Sequence, residues 1–164
     1  MSTRRRLAWL VVDAHHEAAH AVIGTALGQQ VTTVTLEGIT PNVAYTDPRG
    51  SWVKNDPDWL EASVTTTAAG KYAEDAGGFA ALGAVQQKGY MKHRELEDRK
   101  VAEGVELLAE LTDQNADTLM CRVQERARAL VELHEEKIAA VAAVLLERMT
   151  ITGDELGELL SQDD

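Results

Sequence analysis

At 164 residues the chain can bury one sizeable core but leaves no room for several domains. Its formal net charge of −11 speaks against a nucleic-acid binder, which would present a basic face. Cys121 is the one cysteine in the sequence, so no disulfide framework can form and a reducing compartment is the expected home.

The N-terminus reads Arg4-Arg5-Arg6 and then Leu7-Ala8-Trp9-Leu10-Val11-Val12. This resembles the start of a signal peptide, but the apolar run is short, stops at Asp13 and lacks a small-residue cleavage site. It reads as the first turn of a packed segment. No other run approaches the roughly 20 apolar residues that a membrane span needs, so a soluble, cytoplasmic protein with no membrane partner is expected.

A helix is predicted next, with Asp13 as its N-cap and Gly28 as its C-cap. Ala19, Val22, Ile23, Ala26 and Leu27 form its apolar stripe. It carries His16-Glu17-Ala18-Ala19-His20. Residues four apart on a helix share a face, so the imidazoles of His16 and His20 can converge on one metal ion. This H-E-x-x-H spacing is a signature of zinc metalloproteases. Glu17 would lie beside the metal, placed to take a proton from water whose pKa zinc lowers to about 7. His15 is turned by about 100° and reads as a neighbour, not a ligand.

Val31 to Leu36 is rich in β-branched residues and reads as a strand, followed by a turn with Gly38 and Pro41 and a short strand over 43–46. Asp47-Pro48-Arg49-Gly50 ends this hairpin. Trp52 and Trp59 flank the loop beyond it and read as partly buried anchors that could otherwise line a groove. A helix should start at Pro57 and run to Gly77-Gly78, with close packing at Ala68-Ala69-Gly70. The signal from Phe79 to Lys92 is weak. A helix from His93 to Leu111 would turn Leu96, Val101, Val105, Leu108 and Leu111 inward. One long helical region then runs from Asp113 or Asn115 to Met149, with Cys121 as a small buried apolar residue. A short last helix follows Thr152, whose spacing to Glu155 suits a capping box. The expected fold is mainly α (α+β), with one small β-hairpin.

Two histidines hold zinc poorly alone, so a third ligand must come from elsewhere. His93, Glu95, Glu97, Asp98 and His134 are the candidates, and spacing does not choose among them.

Over nearly its whole length the chain resembles the peptidase domain of the FtsH-type zinc metalloproteases. His16-Glu17-Ala18-Ala19-His20-Ala21 is similar to the family's H-E-A-G-H-A, with Ala19 in place of glycine. The hairpin over 31–46 with Pro48 resembles the segment that follows that helix. Ala69-Gly70-Lys71-Tyr72-Ala73-Glu74 resembles G-G-R-x-A-E, and residues 145–156 resemble L-L-E-K-E-T-L-x-G-x-E-L. The resemblance implies a single zincin-like peptidase domain over 1–164. Residues 1–92 would carry the metal helix, hairpin and second helix, and 93–164 the C-terminal helical part. It also implies Zn2+ held by His16, His20 and an aspartate that opens a long helix. Asp98, with Ala102 and Val105, fits that register. The family's T-T-G-A-S-N approach is replaced by residues 87–97, which leaves Glu97 and His93 open. An Asp98 ligand beside two neutral imidazoles would give a site of net charge +1, suited to an oxyanion.

The sequence has no G-x-x-x-x-G-K-[ST] loop. ATP dependence and hexamer formation therefore do not carry over, and a separate ATPase or adaptor would have to unfold any folded substrate. The expected function is a stand-alone zinc metallopeptidase hydrolysing unfolded or flexible polypeptides, with Glu17 as the catalytic residue. The alternative is a non-catalytic, zinc-containing interaction or regulatory module of phage or mobile-element type. A hydrolase of non-peptide substrates is a third reading.

Overall fold

The computed structural model describes residues 3–37, 41–46 and 56–161. Trp52 and the segment Asp47-Pro48-Arg49-Gly50 lie outside them. The first element is a long helix, α1 (Thr3–Ala26). It begins ten residues before Asp13, which is therefore an interior residue and not the N-cap. Asp13 instead takes a hydrogen bond from the Tyr90 hydroxyl. The predicted C-terminus holds: Gln29 N–H donates to the Gly24 carbonyl and Gly28 N–H to that of Thr25. This Schellman pattern needs the left-handed φ of +82° that Gly28 adopts.

Two strands follow, β1 (Val31–Thr35) and β2 (Asn42–Tyr45). They pair antiparallel with Val34 opposite Val43, and the register slips between Val31 and Thr33. That irregularity explains why Val31 and Val34, three apart, both face the core, where strict alternation would send one of them to solvent. The expected hairpin is the larger part of a three-stranded sheet. A third strand, β3 (Thr150–Thr152), pairs with the other edge of β1, placing Ile151 opposite Val34.

Helix α2 (Pro57–Ala73) starts where proline predicts, with Asp56 as N-cap accepting from the Trp59 N–H. It ends four residues before Gly77. Trp59 is half-buried. A 3-10 turn (Phe79–Ala81) leads into α3 (Ala84–Thr112), so the weak stretch before Lys92 is mostly helix, continuous through Gly89. Val101, Val105 and Leu108 face inward as expected, whereas Leu96 and Leu111 are exposed. The expected single helical region is two helices, α4 (Ala116–Leu133) and α5 (Glu135–Arg148), broken at His134. The break redirects the apolar stripe: Leu119, Val123 and Ala127 join α2 and α3, while Ile138, Val141, Ala142 and Leu145 join α1 and the sheet. Cys121 is on the exposed side of α4 and is not a core residue. The last helix, α6 (Gly153–Ser161), has the predicted capping box: Thr152 N–H donates to Glu155 Oε2, and Glu155 N–H to Thr152 Oγ1. The fold is mainly helical with a small antiparallel sheet. No described helix is long and apolar enough to cross a membrane.

Candidate metal centre

The face of α1 that carries the H-E-x-x-H residues is sealed by α2. Ala18, Ala19, Ala21, Ala69 and Ala73 are all buried, and their small side chains let the two helices approach closely. Gly70 completes the approach. A Cβ there would stand 2.6 Å from His16 Cε1 and 2.8 Å from His20 Cε1, so the α2 backbone itself forms one wall around the imidazoles.

The same helix orients both rings. His20 Nδ1–H donates to the Thr66 carbonyl at 2.8 Å, and His16 Nδ1–H to Glu74 Oε1 at 2.9 Å. A carbonyl can only accept, so Nδ1 of His20 carries a proton, and in the neutral ring Nε2 is left with the lone pair. The two Nε2 atoms are 3.0 Å apart. Glu97, on α3, brings its carboxylate to the same point, with Oε2 3.0 Å from His16 Nε2 and Oε1 3.4 Å from His20 Nε2. Among the described residues these three form a group able to hold a metal ion.

The charges at this point ask for a cation. Two facing lone pairs and a carboxylate repel one another unless a proton or a metal ion lies between them. Burial disfavours a charged His16, yet the Glu74 and Glu97 carboxylates outweigh it and raise its pKa to about 10. Burial likewise works against an ionised Glu97, and hydrogen bonds from His16 and His20 overcome it to hold its carboxyl well below the usual carboxylate range. The donor set also matches zinc. Ligands about 2.0–2.1 Å from a tetrahedral zinc are about 3.3–3.4 Å apart, close to the 3.0 and 3.4 Å found.

Glu17 is buried beside the histidines, 7% exposed. Its carboxyl is pushed up by burial, against the pull of His20 and His16. Asp98, the aspartate singled out by family resemblance, does not join the group. It follows Glu97 on the helix and pairs with Lys71 on the surface, 3.2 Å away. Glu97, an alternative at the sequence level, takes the place expected of Asp98. Glu95 is exposed, His134 lies at the α4–α5 break, and only the backbone of His93 is described. His15 Nδ1–H donates within its own helix, to the Val11 carbonyl at 3.0 Å.

Two contributors were not singled out from the sequence, Glu74 and the Thr66 carbonyl, whereas Gly70 was expected as a point of close helix packing though not as a wall of the site. Glu74 closes the segment that resembles G-G-R-x-A-E, which was the available signal. A main-chain carbonyl leaves no sequence signal. Tyr45 adds a brace from β2, its hydroxyl donating to the His20 carbonyl at 3.0 Å.

No family model matches the sequence. The chain is similar to the ATP-dependent zinc metalloprotease FtsH of Acidimicrobium ferrooxidans, with 38% identity over 61 residues. Those residues are 37% of this chain and 9% of the FtsH protein, so the match spans less than a tenth of that relative. It supports a distant relationship to zinc metalloproteases.

Proposed function

We propose that the protein is a zinc metallopeptidase of the H-E-x-x-H type, with a zincin-like site that hydrolyses peptide bonds in unfolded or flexible polypeptides without ATP. One observation carries this reading: His16 Nε2, His20 Nε2 and the Glu97 carboxylate converge, with both Nδ1 atoms already committed elsewhere. In this reading His16, His20 and Glu97 hold the metal, and Glu97 replaces Asp98 as third ligand. Bound there, zinc supplies Lewis acidity, polarising a carbonyl and making water acidic enough to act near neutral pH.

The protein's own groups do the rest. Glu17, buried and with a raised carboxyl pKa, is suited to take a proton from water and pass it to the leaving amine. Glu74 and the Thr66 carbonyl fix the two rings, so little reorganisation accompanies reaction. Strand β2 pairs with β1 on one side only among the described residues, and its other edge can hold an extended peptide by strand addition. A reducing, cytoplasmic setting suits the single unpaired Cys121.

The test is Glu17→Gln, assayed on a library of flexible peptides with zinc content measured in parallel. Hydrolysis should fall by about 10²–10⁴-fold while zinc stays bound. Zinc binding without hydrolysis in the wild type would favour the non-catalytic module. A wild-type chain that takes up no zinc would end the metal reading.

A further inference from the structure

Glu74 is fully buried, and a buried carboxylate is expensive unless both of its oxygens are met. One oxygen accepts from His16. The other is 2.8 Å from Arg94 Nε, an ion pair whose N–H is not aligned for a hydrogen bond, so charge alone meets this oxygen. Arg94 is held in turn: its Nη2 donates to the Lys71 carbonyl at 3.1 Å, and its guanidinium lies 4.8 Å from the centre of the Phe79 ring. The residue sits on α3 one turn before Glu97, so the helix that offers the third carboxylate also offers this cation.

We infer that Arg94 is a positioning residue for the metal centre, acting through Glu74 on His16. The guanidinium grips Glu74 by charge and the C-terminal turn of α2 by its hydrogen bond to the Lys71 carbonyl. It thereby fixes the carboxylate in the one orientation that accepts the Nδ1 proton of His16 and leaves Nε2 aimed at the metal. Without that grip Glu74 is a buried anion with half its partners gone, and it turns away from the ring or draws water in. Arg94 touches neither metal nor substrate. The inference rests on the metal reading proposed above.

The experiment is a double-mutant cycle on zinc affinity, measured by competition with a chromophoric chelator, using the full chain. Arg94→Met should weaken zinc binding by about 10–100-fold, the range for loss of a group that orients a ligand. It should also alter the visible spectrum of the cobalt-loaded protein, which reports ligand geometry and is indifferent to general stability. Arg94→Lys should recover most of the affinity. In a Glu74→Gln background Arg94→Met should add little, because the path to His16 is already cut. If Arg94→Met fails to fold, Arg94→Gln takes its place in the same cycle. Wild-type zinc affinity and cobalt spectrum in the Arg94 variant would overturn the inference and leave the metal reading intact. Effects of Arg94 and Glu74 that simply add, or a lysine variant no tighter than the methionine one, would overturn it too. A wild-type chain that binds no zinc would remove the metal reading and this inference with it.

Discussion

His16 and His20 reach the centre from a helix that is buried at every position from 16 to 24. Glu97 reaches it from a helix whose neighbouring residues Glu95, Leu96, Asp98, Arg99 and Lys100 are all exposed, and its own side chain is 28% exposed. The histidines are oriented by α1–α2 packing and by two buried acceptors, the Thr66 carbonyl within α2 and Glu74 at its C-cap. The carboxylate is oriented only when α3 docks, through Tyr90 against Val12 near one end and through Val101, Val105 and Leu108 further along. One half of the site is thus built into the core. The other half is delivered to it.

The largest effect should come from attacking the built-in half. Gly70→Ala places a methyl group inside contact distance of both imidazoles, so zinc uptake should be lost. Overpacking should also lower stability by about 1–3 kcal/mol, read by denaturation of the metal-free protein. Normal zinc affinity in this variant would mean that α2 can retreat, and the distinction between the halves would fail. Glu97→Ala addresses the delivered half. It should weaken zinc by more than the 10–100-fold typical of orienting residues, while moving the denaturation midpoint far less than Gly70→Ala does.

Acidity should sharpen the contrast further. His16 keeps its proton up to about pH 10 in the metal-free protein, and zinc must displace it. Zinc affinity should therefore rise about tenfold per pH unit between pH 7 and 9, measured by titration in non-coordinating buffers. The metal-free protein should show the opposite trend. A raised histidine pKa adds stability that is whole below the ordinary 6.5 and is lost as pH climbs to about 10. A flat zinc affinity would mean that His16 is already neutral. The smallest effect belongs to Asp98→Ala. It removes an exposed pair with Lys71 worth at most about 1 kcal/mol and should leave zinc affinity unchanged.

The contrast between the halves also governs what could be read from the sequence. His16, Glu17 and His20 were legible because helix geometry alone relates them. The choice between Glu97 and Asp98 was not, because it depends on docking. Relative to Val101 at the centre of the buried stripe, Glu97 lies about 40° to one side and Asp98 about 60° to the other. Only the position of the neighbouring helices decides between them. Family resemblance favoured Asp98, and the changed run from Gln87 to Glu97 is where that guidance weakens. The start of α2, the capping box at Thr152 and the first two strands all carry local signals. Strand β3 is β-branched throughout, but a run of three residues is too short to read as a strand until it meets β1. The early start of α1 was hidden by Asp13, a good N-cap by type that serves Tyr90 instead.

That third strand has a consequence in the order of synthesis. Thr35 and Thr150 share a side-chain hydrogen bond across 115 residues of sequence. At about 5–20 residues per second, roughly 6–23 s separate their emergence from the ribosome. Through that interval α1 and its histidines are already outside, whereas β1 still lacks one of its two partners. The sheet that carries Tyr45 to the back of His20 is completed only near the end of translation. A nascent chain therefore exposes His16 and His20 well before the scaffold around them closes.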